Sequence, residues 1–445
     1  MHSCHEICPV VTSGDQLAKL KGMLDQINLF ELRIDLYQPN PEDVPWNKCL
    51  LTLRSRKHGG IFEGSNEVYQ QTIESYLRFN PAFVDVEADR SKEWMGKINS
   101  WYPAVKIVQS HHELSYTPDH FDCLLTVHPA VSVYKVVTFA NSTLDALRLL
   151  EFVQGAKQPI VGFCMGEEGR FSRLISPILG SRWSYASLEE APSSLGMYSY
   201  EQLTKHYSVQ NFSKKTRILG LIGDPVNKSP SLHTHQPLLR EIGIDALYVQ
   251  MRVEKNQLNA CLEKAASLGF YGLSVTMPLK EQVAEAINSS FHALNTLKFT
   301  PKGLEGTNTD GLGAMAALGY PKEKRLMILG AGGAAYGIAF EALKQGNKVT
   351  ITNRTESRAK HLAELLGCQW KTFGNTFDDY DILINTVPAE LDYSFMWQNK
   401  LCLEAVAFED ETPFMKAAKK RHCKVVPGLK MFIEQAKKQF SWWFR

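Results

Sequence analysis

The sequence has almost no excess of charge of one sign, because 49 Lys and Arg residues stand against 47 Asp and Glu residues, a formal net charge of +2. Proteins that bind nucleic acids or anionic membranes through their overall field carry a clear positive excess. Neither kind of partner is therefore expected. An anionic small molecule would have to be held by a few cations placed within a site.

Long hydrophobic runs are also missing. Every apolar run is shorter than the roughly 18 residues that a membrane-spanning helix needs, and the opening MHSCHEICPV has no basic segment followed by an apolar one. The nine cysteines are odd in number and never spaced as CxxC, which is typical of free thiols in a reducing compartment. These absences predict a soluble cytoplasmic protein.

Metal-ligating patterns are scarce. The opening residues His2, Cys4, His5 and Cys8 could ligate zinc, but no second half-site follows them, and structural zinc sites need one. No metal is expected. Short internal repeats and low-complexity tracts are missing as well, which excludes solenoids and repeat arrays.

What the sequence does contain is material for several buried cores, since 44% of its 445 residues are apolar and about 150 residues make a domain. Residues 1–208 hold eight short apolar runs with helical patterns between them, and this alternation predicts a (β/α)8 barrel. The polar stretch 202–216 then marks a domain boundary. The predicted barrel strands are Ile7 to Val11, Leu29 to Leu32, Cys49 to Leu53, Phe83 to Val86, Val105 to Val108, Val131 to Val137, Ile160 to Cys164 and Trp183 to Leu188.

Polar residues collect at the carboxyl ends of the predicted barrel strands, where such barrels carry their chemistry. Lys135 is the most informative, because it lies inside VSVYKVVTF and burial favours the neutral amine, which forms Schiff bases with carbonyls. The imidazole of His112 could then move the proton next to the imine. A strand-end lysine that reaches water is the alternative. The other polar residues at this rim are Glu31, Arg33, Arg54, Ser110, His111, Arg170 and Arg173.

The stretches FELRID, LTLRSRKHGG, QSHHELSYTP, VYKVV and GRFSRL resemble the type I 3-dehydroquinate dehydratase family over most of residues 7–200. The resemblance implies that Lys135 is the Schiff-base lysine and His112 the general acid and base, and it gives His111 no such role. It also implies substrate contacts from Glu31, Arg33, Arg54, Arg173 and Ser193.

Two positions depart from that family. His58 stands where the family usually has a glutamate, so the group expected to orient the catalytic histidine is altered. Met197 replaces the family's usual glutamine, which leaves Ser193 as the substrate contact expected in that loop.

The second half contains a glycine-rich turn, GAGGAA, between the strand-like RLMIL and a helical pattern. This context is typical of dinucleotide-binding folds, in which the glycines let the backbone approach a pyrophosphate. Arg354 follows the next strand, where an acid would mark NAD, and an arginine there suits a 2'-phosphate. We therefore expect NADP(H) as cofactor. The predicted contacts are Gly330, Ala331, Gly332, Gly333, Ala334, Asn353, Arg354, Thr355, Arg358 and Gly428.

The segments KSPSLH, GLSVTMPLKE, ALNTL, GTNTDGLG and PGLKMFIEQA resemble the shikimate dehydrogenase family over residues 217–440. The resemblance implies a catalytic pair, Lys280 and Asp310. It implies an open α/β substrate domain in residues 216–318 plus 425–445, and a Rossmann-like NADP domain in residues 319–424. The implied substrate contacts are Ser229, Thr276, Asn295 and Gln435.

Two positions depart here as well. Asn227 stands where that family has a substrate serine, and Ala407 where it usually carries tyrosine. Both changes bear on substrate affinity more than on substrate identity.

The chain is thus expected to be a fused bifunctional enzyme that dehydrates 3-dehydroquinate and reduces the product, 3-dehydroshikimate, to shikimate. The alternatives are a quinate dehydrogenase fusion, an aldolase-like barrel joined to another dehydrogenase, and an inactive ligand-sensing regulator with the same folds. Retention of Lys135, His112, Lys280 and Asp310 together argues against the regulator. The sequence leaves the oligomeric state and substrate channelling open.

Overall fold

The computed structural model describes residues 5–121, 124, 127–189, 196–227, 229–374, 380–389, 391–406 and 411–445, without the side chains of residues 232 and 233. The described chain divides into two compact units. The first comprises Met1–Ile218, Leu239–Val253 and Asn259–Phe270, and the second comprises Leu219–Leu238, Glu254–Leu258 and Tyr271–Arg445.

The first eight strands form a nearly closed parallel barrel in the order β7-β6-β5-β4-β3-β2-β1-β8. The predicted barrel is confirmed. Most residues of its strands are buried, because side chains fill the inside of the barrel and also pack between the strands and the surrounding helices. The strands are β1 (Glu6–Val11), β2 (Phe30–Arg33), β3 (Cys49–Thr52), β4 (Phe83–Glu87), β5 (Lys106–His112), β6 (Val131–Phe139), β7 (Ile160–Met165) and β8 (Trp183–Ser187).

The helices of the barrel are less regular than the strands. The first begins after Ser13, whose side chain accepts the Gln16 N–H, and it ends at Lys21 before Gly22. The apolar spacing in the sequence predicts one helix from Gln16 to Ile27, but glycine is a poor helix former, and turns follow from Gly22 instead. β2 is followed by two short 3-10 helices. The α-helices are α1 (Gly14–Lys21), α2 (Asn66–Leu77), α3 (Lys92–Trp101), α4 (Thr143–Gly155) and α5 (Ser172–Ile175).

A second sheet has five strands in the order β10-β9-β11-β12-β13, and its last three strands pair antiparallel. These strands are β9 (Arg217–Gly223), β10 (Ala246–Arg252), β11 (Phe270–Val275), β12 (Thr296–Thr300) and β13 (Gly303–Thr307). The helices of this part of the chain are α6 (Ser231–Glu241), α7 (Leu258–Ser267), α8 (Lys280–Ala286) and α9 (Asp310–Leu318).

A third sheet of six parallel strands has the order β16-β15-β14-β17-β18-β19. The order reverses between β14 and β17, which places a crevice at their carboxyl ends, as in dinucleotide-binding folds. The strands are β14 (Arg325–Leu329), β15 (Lys348–Asn353), β16 (Gln369–Thr372), β17 (Ile382–Asn385), β18 (Leu401–Glu404) and β19 (Lys424–Val426). The helices are α10 (Gly333–Lys344), α11 (Glu356–Leu366), α12 (Pro413–Lys420) and α13 (Gly428–Trp443).

Candidate active sites

Lys135 lies in the middle of β6 with only 4% of its surface exposed. Its Nζ atom is 3.2 Å from Glu31 Oε1, 3.7 Å from Asp85 Oδ2 and 4.2 Å from the centre of the Tyr185 ring. The lysine is therefore buried, as predicted, but two carboxylates compensate the cost of burying its charge. It does not reach water in the way a solvated strand-end lysine would.

Arg54 follows β3 and is 2% exposed. Its guanidinium donates to Ser110 Oγ at 2.7 Å and to Asp85 Oδ2 at 2.6 Å, and it lies 3.6 Å from Glu87 Oε1. Burial opposes the charge on Arg54, but the nearby Asp85 and Glu87 raise its pKa. Burial likewise opposes ionisation of Asp85, and Arg54 and Lys135 nevertheless hold the pKa of that carboxyl below its usual value. The site therefore contains a buried ionic network.

Sequence reasoning missed Asp85 and Glu87, which supply the anions of this network. Both belong to β4, whose sequence FVDVE places a carboxylate at every second residue of an apolar strand. In a barrel such alternate residues share one face. That pattern is the signal that could have found them.

His112 is the last residue of β5, and its side chain is partly buried. Burial, and then the charges on Arg54 and Lys135, lower the pKa of His112 well below its usual value. Within the described chain, its Nδ1 atom is buried without a hydrogen-bond partner. The imidazole is therefore neutral near pH 7, which is the form that can accept a proton.

The predicted anion-binding arginines differ in their surroundings. Arg33 donates two hydrogen bonds to Asp35, at 2.9 and 2.8 Å. Arg173, in α5, is 5% exposed and lies 4.0 Å from the centre of the Phe163 ring, and burial lowers its pKa to about 10. Arg173 is therefore a buried cation placed beside an apolar ring.

The loop after β8 carries two further predicted positions. Ser193 lies outside the described residues, so its predicted substrate contact stays a prediction. Met197 is described and half-buried.

The second candidate site is built around an ion pair between two helix N-termini. Lys280 begins α8, Asp310 begins α9, and Nζ of the lysine lies 2.5 Å from Oδ2 of the aspartate. The Asp310 backbone N–H donates to Asn308 Oδ1 at 3.0 Å, which fixes the start of α9. A lysine and a carboxylate held this close can share and relay a proton.

A buried amide network holds the other oxygen of Asp310. Asn295 Nδ2 lies 2.8 Å from Asp310 Oδ1 and 3.3 Å from Gln435 Oε1. Thr309, which sequence reasoning missed, donates from Oγ1 to Gln435 Oε1 at 3.2 Å. Gln435 belongs to α13, which lies very close to α9. The close approach is possible because Gly313 of α9 has no side chain, and a Cβ atom there would meet the Gln435 backbone nitrogen at 2.7 Å. The structure thus brings together four of the predicted residues, namely Lys280, Asp310, Asn295 and Gln435.

The remaining predicted substrate residues lie in other segments. The Ser229 hydroxyl is 2.8 Å from that of Ser231, at the start of α6. Thr276 follows β11, and its backbone N–H donates to Ile222. Their substrate contacts stay predictions. Of the two residues that differ from the shikimate dehydrogenase family, Asn227 lies within the described residues and Ala407 lies outside them.

The glycine-rich turn lies between β14 and α10. Gly330 has a φ of +112°, and a Cβ atom there would meet Thr386 Oγ1 at 2.2 Å, so no other residue fits. Space is open around Gly332, where an added Cβ would have no neighbour within 4 Å. Gly333 packs against the Lys280 side chain, since its Cβ would lie 3.1 Å from Lys280 Cδ. The turn therefore borders the Lys280–Asp310 pair.

A cavity of about 160 Å³ opens beside this turn. Arg354 and Arg358 line it and are exposed, and neither has an acidic partner within the described part of the chain. Two arginines without ion-pair partners suit a phosphate. The other lining residues are Leu329, Gly330, Thr352, Asn353, Thr355, Phe373, Val387, Ala389 and Leu391. Ala331 lies in the turn, Ala334 is the second residue of α10, and Gly428, also predicted, is the buried first residue of α13.

Known families match these two sites in chain order. The profile of type I 3-dehydroquinase matches residues 8–213, that of the shikimate dehydrogenase substrate binding domain matches residues 221–297, and that of shikimate / quinate 5-dehydrogenase matches residues 314–392. The first match covers the barrel site. The second includes Lys280 and the third includes the whole glycine-rich turn, whereas Asp310 lies between these two matches.

Relatives share both halves or one of them. The "shikimate biosynthesis protein AroDE" of Chlamydia pneumoniae is 30% identical over 98% of this chain and 95% of its own length. The chloroplastic "bifunctional 3-dehydroquinate dehydratase/shikimate dehydrogenase" of Arabidopsis thaliana is 26% identical over 88% of this chain and 72% of its own. A "shikimate dehydrogenase (NADP(+))" of Acidiphilium cryptum is 35% identical over 52% of this chain and 92% of its own.

The fold and the two sites thus define a fusion of a type I 3-dehydroquinase with a shikimate dehydrogenase. The chain belongs to the family of the AroDE shikimate biosynthesis proteins, which it matches along almost its whole length.

Proposed function

We propose that the chain catalyses two consecutive reactions, the dehydration of 3-dehydroquinate to 3-dehydroshikimate and the NADPH-dependent reduction of that product to shikimate. The observation that carries the proposal is that each site holds its own set of reacting groups. Lys135 and the neutral His112 belong to the barrel, and the Lys280–Asp310 pair belongs to the second site. Family membership supports both reactions.

In the dehydration, the Lys135 amine attacks the ketone carbon of 3-dehydroquinate, and loss of water leaves a protonated imine. Glu31 and Asp85 stabilise the positive charge that the imine keeps at Nζ. The imine withdraws electrons from the adjacent carbon, so His112 can take a proton there and return it to the leaving hydroxyl. Water then hydrolyses the imine and frees Lys135. We propose that Arg33, Arg54 and Arg173 hold the substrate carboxylate and orient its hydroxyls.

In the reduction, the ketone oxygen of 3-dehydroshikimate becomes an alkoxide and needs a proton. Lys280 is the proton donor that we propose, and Asp310 keeps its ammonium in place at 2.5 Å. Asn295 and Gln435 donate hydrogen bonds to the substrate from the network that also orients Asp310. Ser229 and Thr276 complete the proposed substrate contacts.

The cofactor of the reduction is NADP(H), which supplies the hydride when it is bound. The residues present fit this group, because open space at Gly332 lets a pyrophosphate approach the start of α10, and because Arg354 and Arg358 offer their charge to a 2'-phosphate. We propose that Asn353 and Thr355 lie along the adenine ribose and that Gly428 lies near the nicotinamide end.

The organisation of the chain follows from this function. We propose a dehydratase domain in residues 1–208, a substrate domain in residues 216–318 plus 425–445, and an NADP domain in residues 319–424. The partners are small molecules of the shikimate pathway, without nucleic acid or membrane. None of the described helices has the length and apolar character needed to cross a bilayer. We propose a cytoplasmic location, supported by the free state of all seven described cysteines.

A coupled assay tests the proposal with one substrate. The full chain receives 3-dehydroquinate and NADPH, and NADPH loss is followed by absorbance while 3-dehydroshikimate is measured separately. Conversion to shikimate supports both reactions. Binding of 3-dehydroquinate without turnover would indicate a ligand-sensing regulator, and turnover of quinate in preference to shikimate in the reverse direction would indicate a quinate dehydrogenase.

A further inference from the structure

His58 is a buried titratable side chain that neither proposed reaction uses. It ends the short 3-10 helix Arg56–His58, and only 3% of its side chain is exposed. Gly59 has a φ of +86°, and a Cβ atom at Gly60 would meet the Arg54 carbonyl oxygen at 2.0 Å. The tight loop that carries His58 therefore depends on both glycines.

The backbone N–H of His112 needs an acceptor at the end of β5. The next residue, Glu113, donates to β6, and successive residues of a parallel strand bond to opposite sides. On the side opposite β6, the pairing with β4 ends at Glu87, which lies opposite Ser110. His58 Nδ1 accepts the His112 N–H at 3.4 Å. His58 thus replaces the acceptor that β4 no longer provides.

The same contact determines which ring nitrogen of His58 carries the proton. Because Nδ1 accepts a hydrogen bond, the proton lies on Nε2. Nε2 is 3.4 Å from Asp89 Oδ1, and Asp89 Oδ2 accepts from Lys57 at 2.8 Å. The contacts with His58 and Lys57 lower the pKa of Asp89. An anionic Asp89 therefore attracts the Nε2 edge of the His58 ring and favours this orientation, although the geometry of the contact is not that of a hydrogen bond.

The charged groups around the His112 ring are cations, whereas two carboxylates lie beside the His58 ring. His112 faces Arg33 after β2, Arg54 after β3 and Lys135 of β6, as well as His58. The groups that face His58 are His111 and His112 of β5, Lys57 of its own loop, Asp89 after β4, and Glu87 of β4, whose carboxylate lies within 4.8 Å of the ring. The ring of His58 consequently stands between His112 and a carboxylate, with ring centres 6.0 Å apart.

We propose that His58, oriented by Asp89, is the positioning residue of His112. It holds the end of β5 so that the imidazole of His112 meets the substrate carbon, and it acts through His112 rather than on the substrate. The inference rests on the proposed dehydration and assigns a further residue to it.

The test compares three variants of the full chain. His58→Leu removes the acceptor, His58→Asn keeps an acceptor near the position of Nδ1, and His58→Glu adds a carboxylate beside His112. Three measurements are made on each: the pH profile of dehydration, borohydride trapping of substrate on Lys135, and reduction of 3-dehydroshikimate. The trapping reports imine formation and therefore a folded barrel, and the reduction reports that the second unit is folded.

His58→Leu is expected to lower kcat for dehydration by about 10- to 100-fold, because small displacements of reacting groups cost rates of this size. Trapping on Lys135 and reduction should persist, and His58→Asn should recover most of the rate. His58→Glu should move the acid limb of the pH profile to higher pH, since a carboxylate stabilises the imidazolium of His112.

Each contrary result overturns the inference in a recognisable way. A kcat in His58→Leu equal to that of the unchanged chain would show that His112 needs no such support. Equal loss of trapping and dehydration would show that His58 supports the barrel as a whole. If the unchanged chain did not dehydrate 3-dehydroquinate at all, the proposed function itself would fail, and the inference with it.

Discussion

The Nζ atom of Lys135 lies 3.2 Å from Glu31 Oε1, although the two residues are 104 positions apart in the chain. Both side chains are almost fully buried, so each neutralises a charge that the barrel interior would otherwise penalise by several kcal/mol. A protonated imine at Nζ carries the same positive charge as the ammonium. Glu31 therefore stays paired while Lys135 forms the proposed covalent intermediate.

Replacement of Lys135 provides the most direct test of the dehydratase site. Borohydride added with 3-dehydroquinate should increase the mass of the peptide that contains Lys135 by that of a reduced adduct, and Lys135→Ala should abolish both the adduct and dehydration. Lys157→Ala, which changes an exposed lysine, is the control and should change neither. Dehydration that survives in Lys135→Ala would rule out the imine.

Replacement of Asp310 should separate the two activities. Asp310→Asn removes the charge that holds Lys280, so kcat for reduction should fall by about 100-fold or more, the usual contribution of a positioned acid or base. Dehydration should continue unchanged, and Lys135→Ala should show the reverse. Steady-state rates with each substrate measure both effects. Loss of both activities in a folded variant would mean that the sites are not independent.

Replacement of Arg354 should affect only one cofactor. A charge-assisted contact to the 2'-phosphate is worth about 1.5 to 3 kcal/mol, or roughly 10- to 150-fold in kcat/KM. Arg354→Ala should raise KM for NADPH by that order and leave KM for NADH nearly unchanged, because NADH has no phosphate at that position. Equal loss with both cofactors would assign Arg354 to the fold or to adenine stacking.

Replacement of Gly332 should affect both cofactors equally. The backbone there is extended, and an added methyl group would meet no protein atom within 4 Å. Gly332→Ala should therefore fold normally but raise KM for NADPH and NADH by a similar factor, because the pyrophosphate common to both needs that space. Thermal unfolding and cofactor titrations measure the two effects. Unchanged KM values would place the pyrophosphate elsewhere.

His235 should make the stability of the second unit depend on pH. The side chain is fully buried, its Nε2 lies 3.0 Å from Gln439 Oε1, and burial lowers its pKa to about 4. Unfolded histidine binds a proton below about pH 6.5, and the folded one does not until pH falls further. The contribution of His235 to the unfolding free energy is thus fully present above pH 6.5 and is lost as pH falls toward about 4. At about 1.4 kcal/mol per pKa unit, the loss amounts to at most about 3 kcal/mol.

His235→Gln removes the titrating group and keeps a side chain that can hydrogen-bond. Between pH 6.5 and pH 4 its unfolding free energy should fall less steeply than that of the unchanged chain, as urea unfolding followed by loss of reduction would measure. Parallel pH dependence in the two proteins would assign the acid sensitivity to other groups.

Much of the fold was accessible from local patterns. The eight barrel strands were predicted because each is a short apolar run bounded by polar residues, and the strand, glycine turn and helix around Gly330 follow one another directly. The end of α1 was not predicted correctly, because a single residue, Gly22, outweighs the apolar spacing that continues to Ile27. Helix ends depend on such local competition.

The site residues likewise fall into those that the local sequence indicates and those that only contacts between strands reveal. Residue type and neighbouring motif were sufficient to single out Lys135, His112, Lys280 and Asp310 as candidates. Three carboxylates around the barrel site, Asp85, Glu87 and Asp89, were not found, because no family motif marks them and the alternation in FVDVE is a weak signal for the first two. Their importance comes only from the strand next to them.

By itself, therefore, the sequence determined which segments become strands and helices and which side chains can carry chemistry, since both depend on residue type and short-range spacing. The tertiary structure alone decided the electrostatic surroundings. Parallel pairing of β4 with β5 and of β5 with β6 sets Glu87, Ser110 and Lys135 in register across three strands. A charge is stabilised by whatever lies within a few ångströms of it, and that distance is set by strand register rather than by position along the chain.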